Sequence, residues 1–267
     1  GHMTLSGAII LTHSPNDALT REEAESGKKT YWLEISAGAF TIEAGARIDV
    51  SGKGYGHHPD DPNFDGYGVC AANGCGGGKS GIGEGGGGGG GHGGAGGGGK
   101  LTEGGEAAGG VPVGSNVNPT LLGSSGGYNK NLPPDKTHSS RGGGFVRLTV
   151  ASVFLLEGSV VSDGFAGEVL IDQGLGGGAG GSVLLYVGEW AGSGVLRARG
   201  GAGGQSLKFG TQTPWHKPGG GGGGGRVAIY YDSKAGGTCD VAGGLGGLGS
   251  VPSVPGGDGS CELVQSE

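Results

Sequence analysis

The sequence predicts an all-β chain: a parallel β-helix (solenoid) whose long excursions are ordered, extended strands of polyglycine type. Three observations predict it. Four segments repeat one strand–turn–strand pattern, no segment sustains a helical period, and glycine, 74 of 267 residues, gathers in unbroken runs between the repeats.

The repeat decides the architecture, because self-similar segments mark stacked coils. The segments are Tyr31–Gly56, Val146–Gly167, Ser182–Gly204 and Arg226–Gly247. Each holds a strand with period-two alternation, as in Leu33/Ile35, Val146/Leu148/Val150 and Val227/Ile229, then a turn and a shorter second strand. Each reaches a glycine-led exit, at Gly52, Gly164, Gly200 and Gly243. One coil cannot bury its inward face alone, so coils stack and share a core. Phe40, Phe154, Trp32 and Trp190 belong to the repeat and are expected in that core.

Taken along the chain, Gly1-His2-Met3 reads as an expression-tag remnant and is set aside from the fold argument. Residues 4–30 form a lead-in or cap; within it, Ala18–Lys29 is the one helix-like piece, with Thr20 and Glu23 spaced for a capping box. The β-helical body follows over 31–247, with the excursion 53–144 inserted. Residues 248–267 make a tail stapled by a disulfide, and its closing "CELVQSE" reads as the end of a module cut from something larger.

The runs Gly85–Lys100 ("GGGGGGGHGGAGGGGK") and Gly219–Gly225 pose a choice between linker and structure. Polyglycine can form an extended threefold helix with about 3.1 Å rise per residue and no internal hydrogen bonds. Without Cβ atoms, neighbouring strands can approach and satisfy one another's backbone groups. Ordering glycine costs roughly 0.5–1 kcal/mol more per residue than ordering alanine, which a random loop gains nothing from. Pro112, Pro119 and the paired leucines Leu121-Leu122 in Gly109–Gly127 read as an ordered return, so the glycines are expected to be ordered strands.

Composition excludes several classes. With 11 prolines and no glycine at every third position the chain is not collagen. Clustered hydrophobic residues (33% of the chain) against 15% charged argue against wholesale disorder. A net charge of −7 with 17 scattered basic residues argues against a nucleic-acid partner, and no apolar run is long enough to insert in a membrane. The four cysteines fall into two local pairs, Cys70/Cys75 and Cys239/Cys261, though three connectivities are formally open. Disulfides suit a body with thin side-chain packing.

Six stretches together carry a family resemblance: Ile48–Tyr55 ("IDVSGKGY"), His92–Gly96, Pro112–Ser115, Pro119–Ser124, Arg147–Val150 and Gly225–Tyr231 ("GRVAIYY"). Over about Ile48–Tyr231 the chain resembles a glycine-rich parallel β-helical module of large, mostly uncharacterised surface proteins of bacteria and of some plants and protists. The resemblance implies an extracellular, cell-surface location and a structural or adhesive role, and brings no catalytic residues. The expected partners are a cell-surface or matrix polysaccharide, or neighbouring modules of the same chain.

The search for chemistry yields four candidates. "GCGGGKS" (Gly74–Ser80) departs from a phosphate loop, since Asn73 stands where the first glycine belongs. "GHHPDDPNFDG" (Gly56–Gly66) is the densest polar cluster. There His57, His58, Asp60, Asp61 and Asp65 read as a solvated turn, as a divalent-cation site with calcium the candidate ion, or as an acid/base pair. Asp61-Pro62 lacks the context of a self-cleaving bond. Tyr55, Phe64, Tyr67, Tyr128, Trp215 and His216 lie in the excursions and are read either as a sugar-binding platform or as packing against the glycine strands.

Three functions result. The first is a non-catalytic structural or adhesion module and a candidate for carbohydrate binding. The second is a polysaccharide lyase or hydrolase on the same fold, which requires the acidic cluster to converge in a groove beside a cation such as Lys53 or Arg141. The third is a calcium-stabilised carbohydrate-binding module.

Overall fold

A computed structural model describes residues 1–16, 18–56, 65–81, 85–101, 105–128, 140–169, 173–206, 217–249 and 251–266. Over these the chain is nearly all β. The strands are β1 (His2–Leu5), β2 (Ile10–Leu11), β3 (Leu33–Ala37), β4 (Ala39–Ile42), β5 (Arg47–Asp49), β6 (Cys70–Ala71), β7 (Gly74–Cys75), β8 (Gly99–Lys100), β9 (Glu106–Ala107), β10 (Phe145–Leu156), β11 (Ser159–Val161), β12 (Ser182–Arg197), β13 (Arg226–Asp240) and β14 (Ser260–Gln265). The helix α1 (Arg21–Glu25) starts at the expected capping box: the Thr20 hydroxyl accepts from the Glu23 N–H, and the Glu23 carboxylate accepts from the Thr20 N–H.

The four repeats stack as neighbouring strands of one large parallel sheet. Val146 pairs with Leu33 and with Val183, Val183 with Val227, and Val227 with Cys261. The next inward row is Ile35, Leu148, Leu185, Ile229 and Leu263. Past a register shift in β10, Phe40 pairs with Phe154 and Phe154 with Trp190. The second half-repeat places Ile48, Val160, Leu196 and Cys239 in one row, spaced in sequence as the exit glycines are. Like side chains therefore lie on like, and each row buries apolar surface at roughly 25 cal/mol per Å². The inner cluster includes Phe40, Ile48, Val146, Leu148, Phe154, Val183, Trp190, Leu196 and Ile229.

Stapled to β13 by Cys239–Cys261, the tail adds a further parallel strand, β14. Two expectations need correction. The set-aside residues at the start are structural: His2–Leu5 pairs in parallel with Ala39–Ile42, and Gly38 donates to the Gly1 carbonyl at 2.8 Å. Trp32 is 43% exposed rather than core, because it precedes β3 on the outward parity.

The opposite face of the sheet is covered at one end by α1 and the first excursion. Leu19, Ala24, Tyr55, Tyr67 and Leu122 pack there on Phe145, Leu184 and Ala228.

Beyond the sheet, the glycine runs hydrogen-bond to other segments with a three-residue rhythm. In 86–91, Gly86 and Gly89 donate to Lys100 and Gly97, Gly87 and Gly90 to Gly174 and Gly177, and Gly88 and Gly91 to Lys79 and Gly76. Each third residue returns to the same neighbour, which is the symmetry of a threefold extended helix. Three such strands close a cycle: Gly87 donates to Gly174, Gly177 to Gly220 and Gly220 back to Gly87, at 2.9–3.0 Å. Around the central strand 174–181 lie 217–223, 162–168, 124–127, 87–90, 201–204 and 143 as donors or acceptors.

Close approach explains why these positions are glycine. A Cβ at Gly87 would sit 2.2 Å from the Gly127 oxygen, at Gly177 2.0 Å from Gly201 O, and at Gly220 1.9 Å from Gly97 O. The exits Gly164, Gly200 and Gly243 obey the same restriction, with backbone oxygens 2.0–2.2 Å from a built Cβ. At the rim, Leu245 and Leu248 stand 75% and 60% exposed, three residues apart.

Cys70–Cys75 joins the β6/β7 hairpin and Cys239–Cys261 joins β13 to β14. The second closes the longer loop, a sequence separation of 22. Replacing both of its cysteines by serine is expected to lower unfolding stability by about 3 kcal/mol, against about 2 kcal/mol for the hairpin pair. Urea titrations check both; equal losses would remove loop length as the cause.

Candidate functional site

The excursion aromatics that are described point inward. Tyr55, Tyr67 and Tyr128 are 0%, 2% and 0% exposed, so in this structure none of them presents a ring face to solvent. Burial pushes the Tyr55 phenol above its ordinary range. The Arg21 guanidinium caps the Tyr67 ring at 4.9 Å. Phe64, Trp215, His216, His57, His58, Asp60 and Asp61 lie outside the described residues.

Asp65 is placed, and both carboxylate oxygens are engaged: Oδ1 accepts from the Ser80 N–H at 2.7 Å and Oδ2 from Lys79 Nζ at 3.0 Å. Those partners come from "GCGGGKS", so its lysine binds a carboxylate of its own chain rather than standing free for a phosphate. Asp65, Lys79, Ser80, Leu101 and Glu106 line a cleft of about 420 Å³. Glu106 in turn pairs with Lys100. Lys53 and Arg141 do not line this cleft; Arg141 is 6% exposed.

A strip of aromatic and charged side chains instead runs across the outward face of the sheet. Its first part is set by Asn16, 2% exposed, whose Oδ1 accepts from the Thr30 and Tyr31 N–H groups and whose Nδ2 donates to the Tyr31 and Lys53 carbonyls. That clamp presents Tyr31 (46% exposed) and Trp32 at the start of β3. Trp32 Nε1 donates to Glu34 at 3.3 Å, and Lys29 Nζ lies 5.6 Å from the Trp32 ring and 4.5 Å from Phe145. Burial lowers the Lys29 pKa, with the Glu34 charge opposing.

Across the ladder, Glu34 meets Arg147 at 3.7 Å, and Arg147 sits over Tyr186 at 5.5 Å. Tyr186 stacks on Tyr230, centroids 4.9 Å apart and 13° between planes, because the two are register partners on β12 and β13. Tyr230 donates to the Val117 carbonyl at 2.7 Å. Ser36 and Thr149, register partners and exposed, add hydroxyls between these groups. With strands about 4.8 Å apart, the strip spans about 14 Å from β3 to β13. Chemically it offers ring faces and edges, two cations, a carboxylate and hydroxyls on a rigid lattice.

Sequence reasoning missed this strip. The available signal was parity: in "SVLLYV" Tyr186 alternates with the inward Leu185 and Val187, so it had to face outward.

A second polar cluster is internal. His92, fully buried, donates from Nε2 to the Ser182 hydroxyl at 2.9 Å, and that hydroxyl donates to the Leu121 carbonyl at 2.6 Å. Arg226 donates to the His92 and Val113 carbonyls, each at 3.1 Å. Burial, aided by the Arg226 charge, lowers the His92 pKa to about 3. The cluster ties the glycine excursion to β12 and β13 and has no opening for a substrate.

No helix among the described residues is long and apolar enough to cross a membrane. Comparison with known protein families, with curated proteins and with solved structures finds no match to this chain.

Proposed function

We propose that the protein is a non-catalytic structural and adhesion module: a parallel β-helix whose excursions pack as a polyglycine lattice, holding an aromatic strip that binds carbohydrate at a cell surface. The observation that carries this reading is the three-directional hydrogen bonding of the glycine strands. A chain that orders its glycines this way makes a stiff body rather than a tether, and stiffness is what a surface spacer or an adhesive face requires. Two disulfides accord with an oxidising, extracellular setting.

Amide hydrogen exchange over Gly85–Lys100 and Gly219–Gly225 tests the architecture. Protection comparable to that of the β10 and β12 amides is expected; exchange at free-peptide rates would reduce the runs to linkers. Retention on insoluble and soluble polysaccharides tests the binding. Trp32→Ala is expected to weaken retention at least tenfold while leaving the melting temperature nearly unchanged, since Trp32 is exposed. Equal retention of wild type and variant would remove the strip from the proposal.

One observation favours the enzymatic alternative, the presence of Asp65, Glu106 and Lys79 in one cleft. Release of oligosaccharides by the wild type, abolished by Asp65→Asn and Glu106→Gln, would establish it in place of the structural reading. The calcium-stabilised alternative predicts a fall in melting temperature on chelation.

A further inference from the structure

We propose that Cys70, Cys75 and Glu25 form a redox-gated site for a thiophilic divalent cation, closed while the cysteines are oxidised and opened by reduction. One ligand atom from each, the two sulfurs and a carboxylate oxygen, lies within 4.8 Å of the others. All three residues are partly exposed, so solvent, reductant and ion can reach them. A tetrahedral zinc site with sulfur at about 2.3 Å and oxygen at about 2.0–2.2 Å sets its ligands roughly 3.5–3.8 Å apart. The three atoms need only local side-chain rotation to reach that spacing once the S–S bond opens.

The backbone is built to keep them together after the bond is gone. Cys70 and Cys75 are direct partners of the β6/β7 hairpin with Cα atoms 3.9 Å apart. Gly76 donates to the Val69 carbonyl at 2.9 Å, and Val111 donates to the Cys75 carbonyl at 3.1 Å, so both ends of the hairpin are tied. Val69 packs on the cluster that also holds Ala24 of α1, which positions Glu25 beside the sulfurs. The one described restraint on the Glu25 carboxylate is a 3.7 Å pair with Arg21, partly exposed and readily exchanged for a metal. The bridge closes a short loop, so its loss removes only about 2 kcal/mol, and the fold is expected to survive it.

The chemistry balances in two steps. A dithiol gives two electrons and two protons to the S–S bond and becomes a disulfide itself; alternatively a phosphine attacks one sulfur and expels the other, and water then hydrolyses the thiophosphonium, supplying the oxygen of the phosphine oxide and the two protons, so that either route leaves two thiols. The cation then displaces both thiol protons and takes two thiolates, the Glu25 carboxylate and a water.

The test uses the full chain, a water-soluble phosphine and cadmium ion alone, read by the ultraviolet thiolate-to-cadmium charge-transfer band and by circular dichroism. The reduced wild type is expected to take up one cadmium with a new band and an unchanged fold, and the oxidised protein to show none. The band should persist in a reduced Cys239→Ser/Cys261→Ser variant and vanish in Cys70→Ser/Cys75→Ser. Glu25→Gln should weaken binding about tenfold or more. Absence of the band, its dependence on Cys239 and Cys261, unaltered affinity in Glu25→Gln, or loss of the β spectrum when the Cys239→Ser/Cys261→Ser variant is reduced would each overturn the proposal.

Discussion

Gly177→Ala is expected to destabilise the protein by about 4 kcal/mol or more, a far larger effect than an added methyl group usually has. The new Cβ would lie 2.0 Å from the Gly201 oxygen, well inside contact distance. Backbone, unlike a side chain, has no rotamer to move to, so strand 201–204 must shift bodily. That shift strains two bonds, Gly201 to the Gly178 carbonyl and Gly204 to the Leu175 carbonyl, each 2.8 Å. Each buried group left unsatisfied adds about 1–3 kcal/mol to ordinary overpacking of about 1–3 kcal/mol. Gly257→Ala is the control: it is exposed, its nearest atom would be 3.5 Å away, and a change within about 0.5 kcal/mol is expected. Urea unfolding of the two variants decides the matter. A wild-type midpoint for Gly177→Ala would mean that the glycine strands do not bear on one another as described.

Acid should unfold the protein through His92. The neutral ring is held with Nε2–H on Ser182, and Nδ1 faces no acceptor, so a second proton would be buried unpaired beside Arg226. The folded pKa is about 3 against an ordinary 6.5. Between those values the unfolded chain binds the proton and the folded one does not, so stability falls as pH falls. The loss begins near pH 6.5, runs at about 1.4 kcal/mol per pH unit, and levels off near pH 3. His13 is shifted in the same direction, chiefly by burial, and carboxylates contribute as well. Comparison with His92→Gln isolates the His92 share. The variant should start less stable at pH 7 and show a slope between pH 6 and pH 4 shallower by about 1.4 kcal/mol per unit. Parallel slopes would show that His92 is not the proton site that matters.

The repeat was legible because parallel pairing gives the same inward parity in every repeat, and parity is written in single residues such as Val146, Val183 and Val227. The glycine strands were legible as a class, since unbroken glycine is otherwise unfavourable. Their partners were not: nothing local in "GGGGGGG" says that Gly87 will meet Gly174 and not another glycine, because the segments carry no side chains to distinguish them. The site failed for a related reason. Tyr55, Tyr67 and Tyr128 lie in polar, glycine-rich surroundings that look exposed in sequence, yet all three are buried, Tyr55 and Tyr67 against side chains such as Leu19, Leu122 and Phe145 that are distant in sequence. Tyr186 and Tyr230 carry the parity signal, each one residue out of step with the inward Leu185 and Ile229. Both cysteine pairs fell where proximity in sequence placed them, because hairpin and adjacent rung are short-range closures.

Leu245 and Leu248 close the lattice along one edge. A β-sheet edge accepts a further strand without regard to Cβ atoms, since its side chains stand off the plane of pairing, but strands of this kind can add only where the next backbone finds no Cβ in its way. On the rim segment, glycines 243, 244, 246 and 247 turn toward the body, where a Cβ would meet the oxygens of Gly256, Gly201, Ser253 and Gly204. The two leucines occupy the remaining direction. Their side chains hold any further glycine strand beyond bonding distance, so the bundle carries its own stop signal. On this side, a material that could in principle accrete without limit is stopped by one bulky residue in three.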